Sequence, residues 1–160
     1  MSAAASSSSS HPQPPRSQQQ MIHKFIDALR QQGFLDNDFN NRRTAPGHLD
    51  SLVTFCVESE PKLEIIQKAL EGEHVDFRTA INTSEMIRSA ATRVGGSRVA
   101  SACIALQEHL NNNNLNGSKE AYKKLSWEYY VIRDSFHHIL QVMLRKQWRF
   151  KKDEARFGEK

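Results

Sequence analysis

Tyr122, Leu125, Tyr129, Ile132, Phe136, Ile139 and Met143 recur at alternating steps of three and four. A helix carries such a set on one side, and a seam of that period packs other helices around it in a left-handed bundle. Strand-like alternation is absent from the chain. The other apolar stripes are also helical. Leu49, Leu52, Val53 and Cys56 form one, and Leu63, Ile66, Ala69 and Leu70 the next. Val99, Ala102, Cys103 and Leu106 form another. Short connections between successive long helices imply antiparallel neighbours. The expected fold class is all-α: an antiparallel up-and-down four-helix bundle with two additional N-terminal helices laid against it.

The boundaries follow from composition. Residues 1–20 are Ala, Ser, Gln, Pro and little else. Such a segment buries too little apolar surface to offset its ordering entropy, so a disordered tail is expected. Residues 21–46 carry the N-terminal helices. Met21 to Gln32 has Ile22, Phe25, Ile26 and Leu29 on one face and ends at Gly33. A short second helix is expected with Asp36 as its cap. The bundle spans 47–150, and 151–160 reads as a charged flexible C-terminus. Pro61 lacks an amide hydrogen and either kinks one helix or opens a second. Ser97 is a candidate cap for the helix that runs to about Leu110.

One small domain plus a tail accounts for 160 residues, 38% of them hydrophobic. No run of eighteen apolar residues exists, so no membrane insertion is expected. No charged region followed by an apolar core opens the chain, so no secretory leader is expected. The two cysteines, Cys56 and Cys103, then read as reduced core residues rather than a disulfide. Asn82-Thr83-Ser84 and Asn116-Gly117-Ser118 match the glycosylation sequon by chance on the same ground. Neither a phosphate-cradling glycine loop, nor zinc-ligand spacing, nor a nucleophile elbow is present. The chain reads as a non-enzyme without cofactor or metal.

The stretch Ile81 to Val99 organises the site. Phe77, Ile81, Ser84, Ile87, Ala91 and Val94 share one helical stripe. Glu85, Arg88, Ser89 and Thr92 share the opposite one. Gly95-Gly96 stops the helix with a left-handed cap. Glu85 is expected to face solvent in mid-helix, ringed by small side chains.

This frame resembles the signature of plant histidine-containing phosphotransfer proteins. There, an aromatic-x-His-Gln-x-Lys-Gly-Ser-Ser stretch is followed by Ile-Gly-Ala and a basic residue. Val94-Gly95-Gly96-Ser97-Arg98-Val99 takes the Ile-Gly-Ala end without a gap. The phosphorylated histidine then falls on Glu85, the glutamine on Met86, the lysine on Arg88 and the glycine on Ser89. The two serines fall on Ala90 and Ala91. Gln32-Gly33-Phe34-Leu35-Asp36-x-x-Phe39 also resembles the N-terminal extension of those proteins. The resemblance implies a pseudo-phosphotransfer protein of the cytokinin pathway, in cytoplasm and nucleus. Its partners are then receiver domains of hybrid histidine kinases and response regulators. The docking surface it implies is Glu85, Met86, Arg88, Ser89 and Thr92.

The substitutions bear on chemistry. An imidazole nitrogen attacks an aspartyl phosphate well near neutral pH. An exposed carboxylate is anionic there, and charge opposes its attack on a phosphoryl group. Arg88 keeps the cation one turn on and is expected to pair with Glu85 at i, i+3. Ser89 adds a small obstruction to docking, and Ala90 and Ala91 remove hydroxyl donors. A fixed negative charge at the docking centre either mimics a phosphoryl group weakly or is repelled by an acidic partner, and sequence leaves the sign open.

Two alternatives stand beside this reading. An active carrier would use another histidine, His109, His137 or His138, which read more simply as solvated helix-face residues. An adjacent pair on a helix points two ways and is not a ligand pair. Nucleic-acid binding would use Arg145 to Lys152, where basic and aromatic residues interleave. A helix C-terminus rich in cations explains that stretch at least as well, so nucleic acid is the disfavoured partner.

Overall fold

The computed structural model describes the backbone of residues 14–158 and the side chains of residues 18–143. Every regular element in it is a helix: α1 (Pro14–Gln31), α2 (Phe39–Arg42), α3 (His48–Leu70), α4 (Phe77–Val94), α5 (Ser97–Asn111) and α6 (Leu115–Gly158). Helices α3 to α6 pack in sequence order around one core. Helix α6 closes the ring against α3, and α1 lies on α6. This is the expected up-and-down bundle with two N-terminal helices against it.

The seam on α6 lies where its period places it. Leu125, Tyr129, Ile132, Phe136 and Ile139 are fully buried, while Tyr122 and Met143 sit at its edges. Burial of each such side chain contributes about 1.5–3 kcal/mol. Phe136 meets Phe39 and Phe55 at centroid distances of 6.0 Å each, so the short α2 enters the same aromatic cluster. Two tyrosines of α6 tie it to α3 by their hydroxyls. Tyr122 donates to Leu63 O at 2.8 Å and Tyr129 to Cys56 O at 2.9 Å. Cys56 and Cys103 are both buried and free, as expected. Burial pushes their thiols up to about 11 and about 12, which makes both poor nucleophiles.

Several boundaries differ from those the sequence suggested. Helix α1 begins at Pro14, ahead of Met21. Proline fits the first helical turn because the amide it lacks has no partner there. The part of the 1–20 tail before Pro14 lies outside the described residues. Pro61 neither splits nor ends α3, which runs unbroken for 23 residues. The carbonyl it leaves without a donor belongs to Val57, an exposed residue that water reaches. Helix α6 passes through the boundary expected at 150, since Arg, Lys and Glu continue a helix as far as Gly158. The side chains of Arg145 to Lys152 lie outside the described residues.

Candidate functional site

Helix α4 is held at both ends. Its N-cap is Asp76, whose carboxylate accepts from Thr79 N at 3.0 Å and Thr79 Oγ1 at 2.6 Å. The hydroxyl and amide of Thr79 hold the Asp76 carboxyl below its ordinary value. Its C-cap is Gly95, at φ +80°, with Gly96 N–H returning to Ala91 O at 2.8 Å. Between the caps, Ala80, Ser84, Ile87, Ala91 and Val94 enter the core. Small side chains on that stripe let neighbouring helices come close. Ser84 satisfies its buried hydroxyl by donating to Ile81 O at 2.9 Å.

The opposite stripe carries the candidate site. Met86 is 57% exposed, Thr92 is exposed, and Ser89 is half-buried. The Thr92 hydroxyl donates to Arg88 O at 2.9 Å, so it faces its own helix rather than a ligand. Glu85 is half exposed, and its carboxylate is fully engaged. Arg88 Nε donates to Oε2 at 2.9 Å, and Arg88 Nη2 donates to Oε1. Gln107, from α5, donates its amide to Oε2 at 2.9 Å. The Arg88 guanidinium and the Gln107 amide together hold the Glu85 carboxyl down at about 2. The pairing with Arg88 was legible from the i, i+3 spacing. Gln107 was not, because it comes from another helix.

The two stretches that carry the family resemblance meet in space. Asp36 N–H donates to Gly95 O at 2.8 Å. The Asp36 carboxylate pairs with Arg42 at 2.9 Å and accepts from Asp38 N at 3.1 Å. Asp36 is thus the anchor of the α2 turn, and the N-cap residue itself is Asp38, with no side-chain cap bond. Arg98, just past the glycines, lies over Phe34 at 4.1 Å and makes a two-bond pair with Glu128 of α6, 2.6 Å each. Glu128 is 1% exposed in its side chain. Ser97 opens α5 as its first residue while Gly96 takes the cap position, because the two glycines alone make the turn between α4 and α5.

The remaining histidines are not gathered. His109 sits at the end of α5, 3.3 Å from the Asn114 amide. His138 packs edge-on against Phe25 at 4.8 Å. His137 is exposed on α6.

No protein-family profile matches the chain. Individual proteins do. Histidine-containing phosphotransfer protein 1 of Oryza sativa subsp. japonica is 24% identical over 127 residues, which cover 76% of this chain and 86% of that protein. Histidine-containing phosphotransfer protein 5 of Arabidopsis thaliana is 24% identical over 131 residues, 78% of this chain and 83% of that protein. Among solved structures, a rice histidine-containing phosphotransfer protein superposes with a TM-score of 0.76 at 17% identity, over 82% of this chain and 97% of its own. The protein of that description from Medicago truncatula gives 0.75 at 21% identity, over 82% and 94%. The chain is thus similar in sequence to plant histidine-containing phosphotransfer proteins, and its helical bundle has their fold.

Proposed function

We propose that this protein is a pseudo-phosphotransfer module of a two-component phosphorelay. It docks receiver domains of hybrid histidine kinases and response regulators through α4 without carrying phosphate. In the cytokinin pathway, in cytoplasm and nucleus, such a protein dampens signalling by competing with active carriers. The docking surface proposed is Glu85, Met86, Arg88, Ser89 and Thr92.

One observation carries the inactive reading. The resemblance assigns the phosphoacceptor imidazole to Glu85, and both oxygens of that carboxylate are bonded to Arg88 and Gln107. A carboxylate held at about 2 is fully ionised at neutral pH and weakly basic. It has little tendency to attack, and an anionic phosphoryl group repels it. Two of the Arg88 nitrogens that could meet an incoming phosphate already donate to Glu85. The similarity to the rice and Arabidopsis proteins supports the phosphorelay setting.

The test is phosphoryl transfer from a labelled receiver domain. No label is expected on this chain, while the receiver domain is expected to co-purify with it. Stable label on the protein would overturn the inactive reading. Replacing His109, His137 and His138 together would then show whether one of them carries it.

A further inference from the structure

Sequence left open the sign of the charge that this face offers a partner. The side-chain geometry bears on it. Of the three arginines of α4, Arg88 turns toward α5 and meets the Glu85 carboxylate, Arg93 lines a groove against α3, and Arg78 stands in the first turn beside the Asp76 cap. The Glu85 carboxylate accepts three hydrogen bonds and is neutralised where it stands. Arg88 spends Nε and Nη2 on it, and among the described residues Nη1 makes no hydrogen bond. A guanidinium is a planar fork, so fixing one edge fixes the direction of the other. Glu85, itself steadied by Gln107 from α5, therefore aims the free edge of Arg88. Arg78 and Arg93 are exposed and make no ion pair among the described residues. Met86 on α4 and Ile104 on α5, one turn before Gln107, are 57% and 48% exposed.

We infer that this face is read as a cation: Arg88, aimed by Glu85 and Gln107, contacts an acidic surface on a protein partner, and Met86 and Ile104 supply the apolar part of the same interface. The inference rests on the docking reading above and assigns the contact within it. Glu85 is then a positioning residue and no mimic of a phosphoryl group. A nucleic acid fits the face less well. A phosphate backbone needs a run of cations, and Arg93 does not extend one from Arg88, since it lies in a groove with Asp50 and Glu58 of α3. Exposed Met and Ile side chains likewise suit a protein surface.

The experiment titrates an unphosphorylated receiver domain onto the full chain by calorimetry, with R88M, R88K, E85Q and Q107A beside the native protein. Circular dichroism melts confirm that each variant folds. R88M is expected to weaken binding by about tenfold, the scale of a central interface contact. R88K, which keeps the charge and loses the fork, falls between. E85Q and Q107A, which loosen the aim and keep the cation, are each expected to weaken binding less than R88M does. Added salt weakens the native complex and has less effect on R88M. Weakening by E85Q with no effect of R88M would overturn the inference and make the carboxylate the contact. A short DNA duplex that displaces the receiver domain, and that R88M no longer binds, would overturn it in favour of nucleic acid. A receiver domain that fails to bind the native protein rejects the docking reading, and this inference with it.

Discussion

Asp36 donates its backbone N–H to Gly95 O at 2.8 Å, and its carboxylate lies within 2.9 Å of where a side chain on Gly95 would begin. Gly95 is also the left-handed cap of α4. One residue thus closes the helix that bears Glu85 and receives the segment that joins α1 to the bundle. The Gly95 position accordingly tolerates no Cβ on two grounds, conformational and steric.

G95A is expected to destabilise the protein by about 1–3 kcal/mol, from the left-handed backbone alone. The added methyl also meets Arg42 Nη1 at 2.8 Å, so the Asp36–Arg42 pair must shift. Urea unfolding of the native protein and the variant measures the loss. G72A is the control: Gly72 has φ +91° but open space around it, so it shows the backbone cost without the clash.

Arg98 and Glu128 make a second clasp across the bundle. Truncating Arg98 leaves a carboxylate at 1% exposure without its partner. R98A is expected to cost about 3 kcal/mol, the lower end for a buried pair, because the Arg98 side chain is itself 37% exposed. Part of that loss is packing, since the guanidinium also covers Phe34. The double variant R98M/E128L removes both charges and is expected to recover much of the loss. A double-mutant cycle by chemical denaturation checks both statements.

These clasps show what the sequence could and could not reveal. The seam from Tyr122 to Met143 and the glycine stop after Val94 were legible, because helical period and left-handed caps are local properties of the chain. So was the Glu85–Arg88 pair, three residues apart. Gln107 on Glu85, Glu128 on Arg98 and the amide of Asp36 on Gly95 join residues far apart in sequence, and no local rule announces them. Asp76 and Thr79 carry a local cap signal in their spacing. Pro61 was ambiguous because its tolerance depends on which carbonyl it orphans, and only the fold tells that Val57 faces solvent.

The Glu85 carboxyl offers a direct check of the site. Arg88 first and Gln107 second lower it to about 2 from the usual 4.5. Carbon-detected NMR titration of the native protein should find Glu85 ionised well below the other glutamates. R88M should return it most of the way to 4.5, and Q107A should raise it by less. A native Glu85 that titrates near 4.5 would mean that the three hydrogen bonds do not persist in solution. The arginine would then not be aimed by the carboxylate.

His48 supplies a prediction about acid stability. It stands at the start of α3, buried, edge-on to Phe39 at 5.2 Å, and its Nε2 has no hydrogen-bond partner. Burial first, and the Arg42 charge second, lower its titration below the usual 6.5. The folded state then binds a proton less readily than the unfolded chain. Stability from this residue is complete above 6.5 and is lost as pH falls beneath it. Urea unfolding at about pH 7.5 and about pH 5.5 should show a weaker fold at the lower value. H48F keeps the aromatic contact with Phe39 and removes both the titrating group and the unpaired nitrogen. It should flatten that part of the pH dependence and add about 1 kcal/mol at neutral pH. A native protein with equal stability at both values, or an H48F variant with the same slope, would show that His48 is not the acid-sensitive group.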